Sequence, residues 1–404
     1  MESELKAYHR LYAERFVIRE RRPAAQRRPA AAHTAAGPAE LWFDEAALKI
    51  HQTEVARTLG CSEGVLVVVH DSLPPAYPGL AGPIPAGQPA PPCAVLLIFV
   101  CPAGTALLDR RLYLPEAWFA AERPASDVAA SVPAWVSYQT GPALGAEMVR
   151  AAVAAGRLPI RWVLLDQAYS RDWRLLDDLH LAGQTFWVEA GRAQAVWHRA
   201  SPSAGAWEAE RADILAARLP GPDWQALGCD EATAQRLVLD RRGRPGPEGW
   251  LIVQRPAGRL AVDQWQFAIS NAARSLSAET LAQIASWRAA ALAAVGECRL
   301  EAAEAAPGWA GWHHQMTLTM VAHHFRLQLR RRFGPAAPAL NMAQSRRLLE
   351  AVLLRPDFDV QPAVAEIEQI QRQNLADYRP TGFSIPHPEP VTPLDGLYGP
   401  CPAI

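Results

Sequence analysis

The chain has 404 residues, half of them hydrophobic, and 40 basic against 41 acidic side chains leave a formal net charge of -1. That length can bury one large core with a subdomain, or two domains, and the near-zero charge excludes nucleic-acid binding by overall attraction, so any DNA contact must come from local patches. Six scattered cysteines with no C-x-x-C pair argue against a disulfide framework or a zinc site, and the longest apolar run, Ala94 to Cys101, is too short to span a bilayer.

Residues 3–22 read as a charged amphipathic helix, followed by a Pro/Ala/Arg linker from Arg22 to Pro38. A helix over Asp44 to Leu59 leads to a strand, Val65 to Val69. The segment Pro74 to Pro92 carries eight prolines and reads as an irregular loop. Strands follow at Ala94 to Val100 and Ala106 to Leu112, joined by the Pro102-Ala103-Gly104 turn. The spacing then predicts a helix over Gly141 to Ala155, a strand ending at Asp166, a helix from Arg171 to Ala182 and a strand from Thr185 to Ala190. Strand-like pieces at Arg236 to Leu239, Trp250 to Gln254 and Arg259 to Val262 interrupt the pattern. Helices resume over Ala278 to Ala305, Gly311 to Phe333 (stopped by Gly334), Met342 to Leu354 and Pro362 to Tyr378. A Pro-rich tail begins at Pro380.

Strands paired first, then alternating with helices, suit an α/β fold: an RNase H-like core with a strand-rich insertion and flanking helices. The divisions expected are a helical arm and linker over 1–40, the first part of the core over 41–199 and the insertion over 200–272. Core helices over 273–335, a further helical region over 336–379 and a disordered tail over 380–404 complete the chain. The N-terminus lacks a signal-peptide core, which points to a soluble cytoplasmic protein with no membrane association.

The chemistry centres on Trp162 to Tyr169 (WVLLDQAY), where a short apolar run delivers Asp166 to the carboxyl end of a strand, the place where sites of α/β sheets lie. Three other unusual strings accompany it: LLDRRLYLPEAWF (107–119), QFAISNA (266–272) and PGWAGWHHQMTL (307–318). In this order and spacing they resemble the DDE transposases of bacterial insertion sequences, of the insertion sequence 701 type. The resemblance spans residues 41–378 with gaps. It implies two aspartates and a glutamate holding Mg²⁺, transposon-end DNA as partner, and an assembly that can be a homo-oligomer.

Asp166 matches the second aspartate of that family. Aligned on Gly64 and Pro74, the first falls on Val69, with Asp71 two residues later on the same strand face but 6–7 Å along the strand. The lysine pair that follows it in the family is replaced by Pro75 and Ala76. On the late helix, anchoring on Trp287 puts Ser286 at the family's arginine, Ala290 at its glutamate and Glu297 at its lysine. No lysine follows Lys49, so no realignment restores that cation. The expectation is a transposase-family, DNA-binding protein with a degraded catalytic centre. One alternative is an active metal-dependent cut-and-paste enzyme using Asp71, Asp166 and a helical glutamate such as Glu297, with Asp71 and Asp166 as metal ligands. Another is a scaffold protein without a nucleic-acid role.

Arg326, Arg330, Arg331 and Arg332 cluster at a helix end and form one candidate phosphate-binding patch; a helix C-terminus attracts cations equally well. Arg15, Arg19, Arg21, Arg22, Arg27 and Arg28 form a second. His313-His314 and His323-His324 lie about 15 Å apart on one helix, too far for a single ion.

Overall fold

In the computed structural model, the residues described are 5–6, 38–73, 91–119, 132–133, 135–199, 207–220, 224–227, 230–241, 243–256, 261–273, 276–299, 308–349 and 360–377. The chain divides into two compact units, one built from residues 1–160 and 289–375, the other from 161–288 and 376–404.

The first unit opens with helix α1 (Pro38–Leu59) and an antiparallel meander, β1 (Gly64–Ser72), β2 (Cys93–Cys101) and β3 (Gly104–Tyr113). Residues 65–69 of β1 and 94–101 of β2 are buried throughout. A sheet covered on both faces needs such continuous apolar runs in place of alternation. Helix α2 (Gly141–Ala155) contacts all three strands. Thr140 caps its start by accepting from the Ala143 N–H, and Gly156 ends it in the left-handed region at φ 59°.

The edge strand β3 carries a bulge opposite Leu97 and Ile98, and its carbonyls are not left bare. His51 of α1 donates from Nε2 to the Leu107 carbonyl at 2.7 Å, and Gln52 donates to that of Leu108 at 3.0 Å. The long helix α6 (Gly308–Phe333) packs against β3 and α1, burying Trp312, Met316, Met320 and Phe325. Helix α7 (Met342–Leu348), opened by an Asn341–Gln344 capping box, packs on α6, and α8 (Val360–Asp377) follows.

In the second unit, β4 (Ile160–Leu165) and β5 (Thr185–Ala190) are parallel and joined through α3 (Trp173–Leu181). The sheet continues from β5 through β11 (Gln266–Ser270), β10 (Pro245–Arg255), β9 (Asp230–Asp240) and β6 (Ala195–Arg199) to β7 (Trp207–Arg211); β8 (Gln225–Leu227) pairs with β9. A short α4 (Ala212–Ala217) follows β7, and α5 (Ala278–Cys298) leads from this unit into the first. The QFAISNA string is a staple between β11 and β5. Ser270 Oγ donates to the Phe186 carbonyl at 2.6 Å, while the Asn271 side chain accepts from the Phe186 N–H and donates to the Gln184 carbonyl.

The α/β class, with a strand-rich insertion and flanking helices, is as the sequence predicts, and the elements follow in RNase H-like order. The strand expected at Arg259 to Val262 is not formed at its described end: Val262–Gln264 is a 3-10 turn, and β10 pairs with β9 and β11. Helix α5 ends at Cys298, short of Ala305, while the last part of the helix predicted to Leu354 lies outside the described residues. The N-terminal arm, linker and Pro-rich tail lie outside the described residues, apart from helical Leu5 and Lys6. No helix among the described residues is long and apolar enough to cross a membrane.

Candidate functional site

Asp71 stands near the end of β1, in register with Ala94 of β2. Its carboxylate is largely covered and accepts two bonds from one guanidinium, Arg299 Nη2 at 2.6 Å and Nε at 3.2 Å. The hydrogen bond to Asp71, then its charge, raises the Arg299 pKa. This two-point grip is the strongest common geometry for an arginine on a carboxylate. Val69, at the position of the family's first aspartate, is buried.

Asp166 follows β4 and caps a one-turn 3-10 helix, Gln167–Tyr169, accepting from the Ala168 N–H at 2.8 Å. The parallel register pairs Leu165 with Val188, so Asp166 and Glu189 come next at the carboxyl ends of neighbouring strands. Arg288 of α5 forms an ion pair with Glu189. Burial lowers the Arg288 pKa, and the negative charge of Asp166 draws it partly back. Two carboxylates therefore share one guanidinium here. Sequence reading missed both Glu189 and Arg288. A signal did exist, because Glu189 is a charged residue on the less buried face of β5, at the same strand end as Asp166.

Glu297 lies in the last turn of α5 and pairs with two arginines of α6, Arg326 at 3.3 Å and Arg330 at 4.0 Å. Arg326 is mostly covered, and burial foremost, then the charge of Arg330, lowers its pKa against the pull of Glu297. Arg331 donates to the backbone carbonyl of Thr58 at the end of α1. Arg326 is thus tied into the fold, and Arg330, Arg331 and Arg332 of the predicted basic patch occupy exposed positions at the helix end, Arg330 within 4.0 Å of Glu297.

The structure gives Asp71 to Arg299, Asp166 and Glu189 to the field of Arg288, and Glu297 to Arg326 and Arg330. Among the described residues no three His, Cys, Asp or Glu side chains converge closely enough to hold a metal ion. A Mg²⁺ pair needs several carboxylate oxygens facing one point, and within each unit the candidate carboxylates are instead engaged by arginine.

Three of the four paired histidines belong to the core. His313, His323 and His324 are buried on α6, and burial lowers the pKa of each. His324 Nε2 accepts from Gln328 at 2.7 Å and lies 3.0 Å from the Thr58 hydroxyl.

Residues 86–231 match the family model described as DDE superfamily endonuclease. None of the curated proteins matches the chain. Among solved structures, the chain is similar to one described as a piggyBac transposase synaptic complex with hairpin DNA, at 9% identity and a TM-score of 0.35, over 93% of this chain and 80% of that one. The 86–231 match runs from β2 to β8 and includes Asp166, so that part of the chain is similar to the DDE superfamily endonucleases.

Proposed function

We propose that this protein is a transposase-type, DNA-binding member of the DDE superfamily whose strand-cleaving centre is disabled. The observation that carries this reading is the Asp71–Arg299 pair: a guanidinium holds both oxygens of the carboxylate that would have to serve as the first metal ligand. Arg288 beside Asp166 and Glu189 repeats the arrangement in the second unit. A fixed cation supplies the charge balance that a divalent ion supplies elsewhere, but it neither activates water nor stabilises a leaving oxygen. The function left to such a chain is recognition of transposon-end DNA through exposed arginines, in the cytoplasm, as a regulator or competitor of active relatives.

Calorimetric titration with Mn²⁺ against wild type and Asp166→Ala tests the first half. The expected result is no saturable binding in either protein; binding abolished by Asp166→Ala would establish a working centre and overturn the reading. Duplex binding followed by anisotropy at several salt concentrations tests the second half. Arg330→Ala combined with Arg332→Ala should reduce the log–log salt slope by about 0.9 for each phosphate that is no longer neutralised. A slope of zero in the wild type would leave a scaffold without a nucleic-acid role.

A further inference from the structure

A cavity of about 340 Å³ lies inside the first unit, between the end of β3, the loop before α2 and the start of α6. It is within the size range of small-ligand sites. Its walls include Arg111, Phe119, Trp135, Gln139, Glu147 and Trp309. Trp135 is 61% exposed, although a large indole at a turn would ordinarily be tucked away. It meets Trp309 edge-on, with ring centres 5.7 Å apart and planes at 89°. The two indoles form a corner in which most of Trp135 is open to solvent and the buried Trp309 stands across it.

The polar groups narrow the ligand. Arg111 is held by Asp109 at 2.8 Å, which Arg110 shares at 3.7 Å, and Glu147 in the cavity wall supplies a second carboxylate for the two guanidiniums. A phosphate would find no surplus cation here. His313 also lines the cavity; its Nδ1–H donates to the Trp309 carbonyl at 2.8 Å, which leaves its other ring nitrogen an acceptor. Donors from Arg111 and Gln139 and acceptors from Gln139, Glu147 and His313 beside an open indole face suit a flat, uncharged ring with both kinds of group on its edge.

We propose that this cavity binds a nucleobase, stacked on Trp135, with recognition directed at the base and not at its phosphate. The register adds a location: Asp71, Ala94 and Leu112 lie in one row across β1, β2 and β3, and Leu112 lines the cavity. The site therefore opens at the Asp71 end of the three-stranded sheet, two strand spacings or roughly 10 Å across it. The inference goes beyond the proposed function and stands whether or not the chain binds duplex DNA.

The base could belong to a free nucleoside or to an unpaired stretch of a strand, and equilibrium dialysis of the full chain distinguishes these. The probes are adenosine, guanosine, cytidine and thymidine, their 5′-monophosphates, and short single-stranded oligodeoxynucleotides, each with inorganic phosphate as competitor. For whichever probe binds, Trp135→Ala should weaken affinity about tenfold, the effect of losing one base–aromatic stack, and Trp135→Phe should restore most of it. Nucleoside and monophosphate should bind alike, and phosphate should not compete. Binding of oligonucleotides alone, with the same dependence on Trp135, would assign the base to a strand. Because Trp135 is exposed, Trp135→Ala should fold, which circular dichroism checks. No binding of any probe, equal binding by Trp135→Ala, or displacement by phosphate would overturn the proposal.

Discussion

His51 offers a direct measure of how much the first unit depends on a neutral core. Its ring is fully buried, and its Nε2–H is committed to the Leu107 carbonyl. Its Nδ1 is buried with no hydrogen-bond partner, so a proton there would have no acceptor. Burial foremost, reinforced by the charge of Arg110, lowers its pKa from 6.5 to about 4. Below pH 6.5 the unfolded chain takes up a proton that the folded chain refuses. The stability His51 contributes is therefore fully present above pH 6.5, falls as pH drops, and is gone below about 4. A shift of that size corresponds to about 3 kcal/mol, a large part of an ordinary domain's 5–15 kcal/mol. Urea unfolding at pH 7.5, 6.0, 5.0 and 4.5 reads the slope. His51→Gln keeps a donor for the Leu107 carbonyl but cannot protonate, and should flatten the slope by about 1 kcal/mol per pH unit inside that window. Equal slopes for the two proteins would refute the reasoning.

Other substitutions report on different parts of the fold. Trp312 is 1% exposed, and Trp312→Ala should cost about 3–5 kcal/mol in denaturant unfolding. In the second unit, a methyl group on Gly249 would meet the Ser270 carbonyl at 2.6 Å, so Gly249→Ala should destabilise by about 1–3 kcal/mol and lower Tm. Arg299→Ala removes a partner that is 62% exposed and should change stability by less than about 1 kcal/mol. A larger loss would show that the pair with Asp71 is structural in its own right. Asp166→Ala should cost about 1 kcal/mol through the lost helix cap, measurable as a shifted unfolding midpoint.

The sequence carried the first five strands because β1, β2 and β4 are buried apolar runs, β3 opens on one before Asp109-Arg110-Arg111, and β5 alternates. The insertion was less legible. WEAER of β7 is short, polar and at the sheet's edge, so neither apolar length nor alternation marks it. QFAISNA stood out as a string, yet its polar residues serve as staples, which only the pairing of β11 with β5 shows. Asp166 was readable from its position after an apolar strand. The partners of the carboxylates were not, because Asp71 and Arg299 are 228 residues apart and no periodicity links them. Glu297 stood in the sequence at the family's lysine position and as an alternative ligand, but α6 brings two arginines to it.

The carbonyls of Leu107 and Leu108 give α1 a protective duty. β3 ends the run of strands, and such a border is a template on which another chain can add a strand. His51 and Gln52 satisfy two of its acceptors, so α1 withholds that border from foreign strands. Removing the chain up to residue 52 would expose it, and the shortened protein should self-associate through β3 while its remaining core stays folded.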